Sequence, residues 1–245
     1  MAEFDWKNID VVILAGGKGS RLYPLTKDIP KAMVKIGEYP VIEHIVRYFL
    51  HFGLKRVKIL IGHKGEVICH HFESNFRHKN TRIECIPTGE EAGTAERIWR
   101  ARKQLTSTFL LSYSDVLYNI NLDEMMKFHI QKGKVGTMGV VPLRTSYGVL
   151  KIDKANVAVD YLEKPIFQYI WMNCGLFIFK KMIFDYWEWI DNDFSLGLIP
   201  KLSRISQIAA YKHLSFWSGM DTVRESEILN ELWKKNEAEW AVWRK

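Results

Sequence analysis

The residue types best suited to chemistry lie in one glycine-rich segment near the start of the sequence. Glycine occupies three of the four positions from Gly16 to Gly19, directly after a short apolar run. Glycines let the backbone turn sharply and approach a ligand closely, and the exposed N–H groups of such a loop form a concave site for anions. Because ligands of α/β proteins bind beyond the carboxyl ends of the strands, the segment predicts a phosphate-binding loop.

Two better-known phosphate loops do not fit this segment. A P-loop requires the string GxxxxGK[ST], which does not follow the apolar run. The dinucleotide fingerprint GxGxxG fails because Leu22 stands where its third glycine belongs. For the glycines alone, a tight turn without a ligand remains an alternative. Two basic residues favour the phosphate site, because Arg21 can bind two phosphate oxygens at once and Lys31 can act as a point charge.

The segment as a whole resembles a known family. From Gly16 to Lys31 it reads GGKGSRLYPLTKDIPK, which is similar to the sugar nucleotidyltransferase signature GxGxRLxPLTxxxPK. Ser20 replaces the usual threonine, and both side chains carry a hydroxyl. The resemblance implies that the protein transfers a nucleotidyl group. The residues that it implies as nucleotide ligands in this segment are Leu14, Ala15, Gly16, Gly17, Gly19, Ser20, Arg21 and Lys31.

Two aspartates further along the chain are similar to the metal-binding carboxylates of the family. Asp115 ends the string LSYSD, in which Ser114 replaces the usual glycine, and Asp221 lies in the string FWSGMDT. The resemblance implies that both bind Mg²⁺, a hard cation that prefers oxygen ligands. It also implies catalytic roles for Arg21, Lys31 and Asp115. Either aspartate taken alone would be an ordinary helix cap or turn residue.

The remaining similarities to the family are shorter and individually weaker. Near the nucleotide, the resemblance implies contacts from Thr88, Gly93 and Thr94. For the sugar phosphate, it implies contacts from Tyr147, Gly148, Glu163, Lys164, Asn173 and Gly175. Each of these would be a solvated side chain or an ordinary turn residue if it were taken alone.

Within the family, the resemblance is to the cytidylyltransferases that act on glucose 1-phosphate. It rests on the string PTGEE at Pro87–Glu91 and on the tryptophan-rich C-terminal segment, whereas Gly93-Thr94 follows the wider family. We therefore expect a nucleoside triphosphate, CTP, to react with a sugar 1-phosphate, glucose 1-phosphate, giving a nucleotide sugar and pyrophosphate. Two alternatives stay open: another phosphorylated acceptor, and a catalytically idle nucleotide-binding regulatory subunit.

The elements that must position these residues alternate along the first half of the chain. The alternation predicts an α/β fold with a Rossmann-like, mostly parallel sheet flanked by helices. The predicted strands are Asp10–Ala15, Arg56–Ile61, Thr81–Ile86 and Thr108–Ser112. The predicted helices are Pro40–Phe52, Glu66–Phe76 and Ala95–Gln104.

The second half predicts a smaller β-rich part that binds the sugar, followed by a helical tail at 222–245. Its predicted strands are Gly136–Val141, Gly148–Ile152, Val157–Leu162 and Met172–Phe179. The sequence shows no linker or internal repeat, so one domain over 1–245 is expected. The tail carries Trp233, Trp240 and Trp243, which predict either docking on the same chain or a subunit interface.

Composition limits the partners of the chain. A net charge of +7 over 245 residues favours anionic partners, but the basic residues are scattered, and we expect no nucleic-acid partner. No apolar run approaches the roughly 20 residues of a membrane helix. The three cysteines are far apart, which is typical of a reducing compartment. We therefore expect a cytoplasmic enzyme without a membrane partner, and we expect it to form a homo-oligomer.

Arg21 is expected to stabilise the negative charge of the leaving pyrophosphate. Replacing it by alanine is expected to lower kcat by about 10²–10³, because a charged donor to the departing pyrophosphate is lost. Circular dichroism should show an unchanged fold. Near-normal turnover of Arg21→Ala would contradict the predicted role.

Overall fold

The computed structural model describes residues 4–244, so residues 1–3 and Lys245, the two ends of the predicted 1–245 unit, lie outside the described residues. Its strands are β1 (Asp10–Ala15), β2 (Lys35–Ile36), β3 (Tyr39–Pro40), β4 (Arg56–Ile61), β5 (Arg82–Pro87), β6 (Thr108–Tyr113), β7 (Val116–Tyr118), β8 (Gly136–Arg144), β9 (Val149–Ile152), β10 (Ala158–Leu162), β11 (Ile166–Lys180), β12 (Ile208–Lys212) and β13 (Trp217–Gly219). Its α-helices are α1 (Val41–His51), α2 (Gly65–Ser74), α3 (Thr94–Ala101), α4 (Leu122–Lys132), α5 (Leu198–Arg204) and α6 (Val223–Lys234). Short 3-10 helices lie at Ser20–Leu22, Lys31–Met33, Arg102–Gln104, Lys181–Tyr186 and Val242–Arg244.

The main sheet, within residues 4–244, has seven strands in the order β12-β8-β11-β6-β1-β4-β5. Strand β11 is antiparallel to β6 and β8, and the other adjacent pairs are parallel. The predicted α/β class with a mostly parallel sheet is therefore confirmed. Strands β1 and β4 have the predicted bounds, because both are short apolar runs buried in the sheet.

The strand order places a crevice at the end of β1. The chain passes from β1 through α1 to β4 and through α2 to β5, and then returns to the other side of β1 as β6. In open α/β sheets, ligands bind outside the carboxyl ends of the strands where the order reverses in this way. The glycine segment follows β1 and Asp115 follows β6, so both lie at this crevice.

The second half of the chain contains elements that the sequence patterns did not predict, namely α4, α5, β12 and β13. Helix α4 begins at the N-cap Asn121, whose side chain accepts a hydrogen bond from Glu124 N, and it ends at Gly133 with φ of 64°. These cap residues were the available signal. Strand β11 is also longer than the predicted Met172–Phe179. Strands β9 and β10 form a separate two-stranded hairpin that is largely exposed to solvent.

Apolar side chains on the two faces of the sheet form two cores. Val11 and Ile13 of β1 pack on one face with residues of α1, α4 and the C-terminal tail. Val12 and Leu14 pack on the other face with residues of α3 and α5. Successive side chains of a strand point to opposite faces, so a fully buried strand contributes to both cores.

The C-terminal tail packs against α1 of its own chain. Helix α6 begins with a capping box, and the rings of Trp233, Trp240 and Trp243 lie 4.7, 6.1 and 5.8 Å from the ring of His44 in α1. Trp240 is only 1% exposed. The aromatic spacing noted in the sequence therefore corresponds to contacts within one chain. No helix among residues 4–244 combines the length and the apolar character needed to span a membrane.

The environment of His44 predicts a pH dependence of stability. The imidazole donates from Nε2 to the oxygen of Ile36 at 2.9 Å and accepts from Nε1 of Trp240 at 3.2 Å, so it is neutral. Burial lowers the pKa of His44 from its ordinary 6.5 to about 4. The unfolded chain then binds more protons between these values, and the free energy of unfolding falls as the pH drops from 6.5 to 4.

Urea denaturation at several pH values measures this dependence. His44→Gln is expected to reduce the slope in this window by up to one proton, whereas His51→Gln, at an exposed position in the same helix, should keep it. An unchanged slope in His44→Gln would contradict the assignment.

Candidate active site

The glycine segment after β1 forms a loop around Lys31. Gly19 has a φ of 67°, and a Cβ at this position would lie 2.7 Å from Cβ of Lys31. Only glycine combines this left-handed conformation with such a close approach. The hydroxyl of Thr26 donates to the oxygen of Gly19 at 2.9 Å, which fixes the end of the loop.

The backbone N–H groups of this loop are available to a ligand. In the part of the chain that the structure describes, the N–H groups of Gly17, Lys18 and Gly19 donate no hydrogen bond to the protein. Gly17 and Lys18 are exposed, and Gly19 is half-buried. Successive free N–H groups in a turn form a concavity that binds anions, as the sequence predicts for this segment.

The two predicted metal ligands lie side by side. Asp115 immediately precedes β7, and Asp221 follows β13 after one residue. Strands β7 and β13 pair antiparallel with Val116 opposite Gly219, and the N–H of Met220 donates to the oxygen of Asp115 at 2.8 Å. This short ladder therefore joins two carboxylates that are far apart in the sequence.

Lys31 lies between these carboxylates. Its ammonium is 2.5 Å from Oδ2 of Asp115 and also contacts Oδ1 of Asp221. Arg21 reaches the same Oδ1 of Asp221 at 2.9 Å. The side chain of Lys31 is 12% exposed, whereas that of Arg21 is 71% exposed and extends into the open cleft. The four charged residues predicted to be catalytic or to bind the metal thus form one cluster.

Asp221 is not the cap of the helix that follows it. Thr222 is the N-cap of α6, and its side chain accepts from the N–H of Glu225. The carboxylate of Glu225 in turn accepts from the N–H groups of Asp221 and Thr222 at 2.7 and 2.9 Å. The capping bonds are complete without the carboxylate of Asp221, which is therefore directed to Lys31 and Arg21.

A cleft of about 790 Å³ extends from the charge cluster to the start of α3. Gly93 lies against the backbone oxygen of Asn192, which a Cβ at Gly93 would approach to 2.3 Å. The hydroxyl of Thr94 donates to Oδ1 of Asp193 at 3.1 Å and accepts from the N–H of Phe194. The sequence did not identify the loop at 191–193 as part of the site. Predicted residues that line the cleft are Leu14, Ala15, Gly16, Gly17, Arg21, Lys31, Gly93, Thr94 and Asp115.

Thr88 does not line this cleft, in contrast to its predicted nucleotide contact. Its side chain is fully buried, and its hydroxyl donates to the oxygen of Ile61 at 2.8 Å and accepts from Arg97 at 2.7 Å. The hydroxyl is occupied within the protein, so Thr88 supports the wall of the cleft from behind.

Arg97 is a central residue that sequence reasoning missed. It is 4% exposed, and its guanidinium donates to five oxygens that lie at the end of β4 or directly after β1 and β5. Burial lowers the pKa of Arg97. A signal was present, because Thr94, Arg97, Ile98 and Ala101 have the spacing of one helix face.

Two of the predicted sugar ligands lie beside the charge cluster. The side chain of Asn173 accepts from the N–H of Gly175 at 2.8 Å and donates to the hydroxyl of Tyr113 at 3.4 Å. Gly175 has a φ of 80°, and a Cβ there would lie 2.9 Å from the ring of Tyr113. Tyr113 lines the cleft just before Asp115, and this irregular part of β11 packs behind Tyr113.

The other predicted sugar ligands lie on or beside the β9–β10 hairpin. Tyr147 is 79% exposed, and the side chains of Glu163 and Lys164 are more than half exposed and lie 3.6 Å apart. A Cβ at Gly148 would meet the ring of Tyr161, whose hydroxyl donates to Glu163. Among the described residues, no hydrogen bond or ion pair connects 147–164 with the cleft, so these four sugar contacts stay a prediction.

Comparison with known proteins identifies the family of the chain. A family model described as nucleotidyl transferase matches residues 10–218. The chain is 30% identical to a protein of Bacillus subtilis (strain 168) named probable glucose-1-phosphate cytidylyltransferase, over 95% of this chain and 99% of that protein. It is also 30% identical to the glucose-1-phosphate cytidylyltransferase of Salmonella typhi, over 95% of this chain and 98% of that protein.

A solved structure supports the fold independently. It is the structure of HddC from Yersinia pseudotuberculosis complexed with GMP-PN, with a TM-score of 0.70, 23% identity, and coverage of 92% of this chain and 99% of that chain. The crevice, the glycine loop and the charge cluster define a nucleotide-processing α/β protein. The chain belongs to the nucleotidyl transferase family, among the sugar-1-phosphate nucleotidyltransferases.

Alanine substitutions at the adjacent Gly16 and Gly17 are expected to differ in their effects. The first should mainly reduce stability, and the second should mainly reduce nucleotide binding. Gly16→Ala is expected to lower the free energy of unfolding by about 1–3 kcal/mol, because its Cβ would lie 2.1 Å from Cζ of Arg97. A Cβ at Gly17 meets no atom within 4 Å, so Gly17→Ala should leave stability unchanged or raise it by about 0.4–1 kcal/mol.

Gly17→Ala places a methyl group on the exposed side of the loop and is expected to lower kcat/KM for the nucleotide by about 10- to 100-fold. Thermal melting and steady-state kinetics measure the two effects separately. Unchanged kinetics in a stable Gly17→Ala protein would show that the loop does not contact the nucleotide.

Proposed function

We propose that this chain transfers a cytidylyl group from CTP to glucose 1-phosphate and releases pyrophosphate. The observation that carries the proposal is the convergence of Arg21, Lys31, Asp115 and Asp221 beside a loop with free N–H groups. A nucleoside triphosphate and a sugar phosphate together bring a large negative charge, which this set of donors suits. The names of the two relatives that are 30% identical over most of the chain support CTP and glucose 1-phosphate.

The residues present fit a role for Mg²⁺. Oxygens of Asp115 and Asp221 both contact one cation, the ammonium of Lys31, so this position favours positive charge. Within residues 4–244, no group of three or more His, Cys, Asp or Glu side chains is placed to hold a metal ion. Mg²⁺ commonly binds one or two carboxylates and completes its shell with substrate phosphates and water. When bound, it supplies charge neutralisation and a template for phosphate oxygens.

The proposed reaction needs no protein nucleophile. An oxygen of the sugar phosphate forms a bond to the α-phosphorus of CTP. The bond from that phosphorus to the oxygen that bridges to the β-phosphate breaks, and its electron pair leaves with pyrophosphate. The protein then acts by positioning and by charge stabilisation. Arg21 and the loop N–H groups stabilise the departing pyrophosphate, and Lys31 shifts from the carboxylates toward the phosphates.

We assign the sugar contacts to Asn173 and Gly175, which lie behind the charge cluster, and to the hairpin residues Tyr147, Glu163 and Lys164. We also propose that the chain forms a homo-oligomer, in which this exposed hairpin is free to meet a second copy of the chain. Cys69, Cys85 and Cys174 are all free thiols, which supports the proposal of a cytoplasmic location.

Two other functions remain as candidates within the same fold. A different phosphorylated acceptor would require the same loop and charge cluster, so only substrate assays distinguish it. A catalytically idle regulatory subunit would retain nucleotide binding without turnover. The presence of all four charged residues in one cluster favours the enzyme over this subunit.

A matrix of the four nucleoside triphosphates against a panel of phosphorylated acceptors tests the proposal through pyrophosphate release. CTP with glucose 1-phosphate is expected to give the highest kcat/KM. Addition of EDTA should abolish release, and excess Mg²⁺ should restore it. Preference for another triphosphate would refute the choice of CTP but not the proposed nucleotidyl transfer. Nucleotide binding without release from any pair would support the regulatory subunit.

A further inference from the structure

Arg97 caps the carboxyl ends of three neighbouring parallel strands. Its two terminal nitrogens donate to four backbone oxygens at 2.8–3.2 Å and to the hydroxyl of Thr88. The backbone oxygens belong to Gly16 after β1, to Ile61 at the end of β4, and to Gly89 and Glu90 after β5. A planar fork of donors suits such a spread of acceptors, whereas a lysine ammonium has three donors at one point.

The bond to Gly16 also sets the direction of the phosphate loop. In a planar trans peptide, the C=O and the following N–H point to opposite sides. Because the oxygen of Gly16 points toward the guanidinium, the N–H of Gly17 points away from it, on the exposed side of the loop. A Cβ on Gly16 or Gly62 would meet the guanidinium at 2.1 or 2.5 Å, so the loops close tightly around it.

Arg97 also links the two ends of the cleft. It lies in α3 one turn after Gly93 and Thr94, which line the cleft away from the charge cluster. No carboxylate pairs with it among the described residues, and the neighbouring Glu96 pairs with Arg100 at 2.5 Å instead. A buried cation that lacks a carboxylate partner contributes a positive potential to the anion site above it.

We infer that Arg97 is a positioning residue for the nucleotide. It holds the N–H of Gly17 outward and fixes the start of α3 relative to the phosphate loop. Its loss therefore weakens nucleotide binding, while the segment Asn173–Gly175 of β11 keeps its contacts. This inference rests on the proposed nucleotidyl transfer.

Titration calorimetry with CTP and Mg²⁺, combined with kinetics for both substrates, tests the inference. Arg97→Lys keeps the charge but leaves buried carbonyls without donors, so the Kd for CTP is expected to rise about 10- to 100-fold. The KM for glucose 1-phosphate should stay within about twofold of the wild-type value, since its proposed ligands do not contact Arg97.

Thr88→Val removes one acceptor of Arg97 and should raise the Kd for CTP by about 3- to 10-fold.

Arg102→Lys is the matched control. Its guanidinium lies 4.0 Å from the ring of Trp99 and donates to the backbone oxygen of that residue, so CTP binding should be unchanged. A wild-type Kd in folded Arg97→Lys, or equal rises in both KM values, would overturn the positioning role. If Arg97→Lys does not fold, the Kd of Thr88→Val for CTP provides the test instead. An unchanged Kd in that variant would overturn the positioning role. Wild-type protein that binds no triphosphate would instead refute the proposed function and this inference with it.

Discussion

The ammonium of Lys31 lies between the carboxylates of Asp115 and Asp221, and the reactive end of the cleft is arranged around this contact. Two carboxylates at such short range repel each other strongly unless a cation lies between them. Lys31 is mostly buried, so its charge acts with little screening, and the exposed Arg21 adds a second positive charge at the rim. The close packing of Gly19 against Lys31 makes the phosphate loop part of the same arrangement.

This arrangement suits the proposed transfer, in which several phosphates meet in one cleft and the protein supplies no nucleophile. One wall presents backbone N–H groups, which are fixed dipoles, and the other presents charged side chains that can exchange partners. Such preorganised groups need little rearrangement when negative charge shifts from the α-phosphate to the leaving pyrophosphate. Arg97 stabilises the first wall from beneath, and the pairing of β7 with β13 stabilises the second.

Most of the residues proposed to select the base and the sugar lie away from the charge cluster, whereas Asn173 and Gly175 lie beside it. The start of α3 and the loop at 191–193 form the far end of the cleft, and the exposed β9–β10 hairpin carries the predicted sugar contacts. These segments can vary without disturbing the charged residues. Under the proposed function, the charge cluster and most of the substrate-selecting residues therefore belong to separate parts of the fold.

The sequence by itself determined the alternation of strands and helices around β1, the glycine loop and the charged residues that follow it. These features depend on local backbone preferences and on short patterns of side chains. It did not reveal that Thr88 is buried, that Arg97 joins three loops, or that Thr222 rather than Asp221 caps α6. Those outcomes were decided only by the tertiary structure, because they depend on hydrogen bonds between segments that the sheet register brings together from distant positions in the chain.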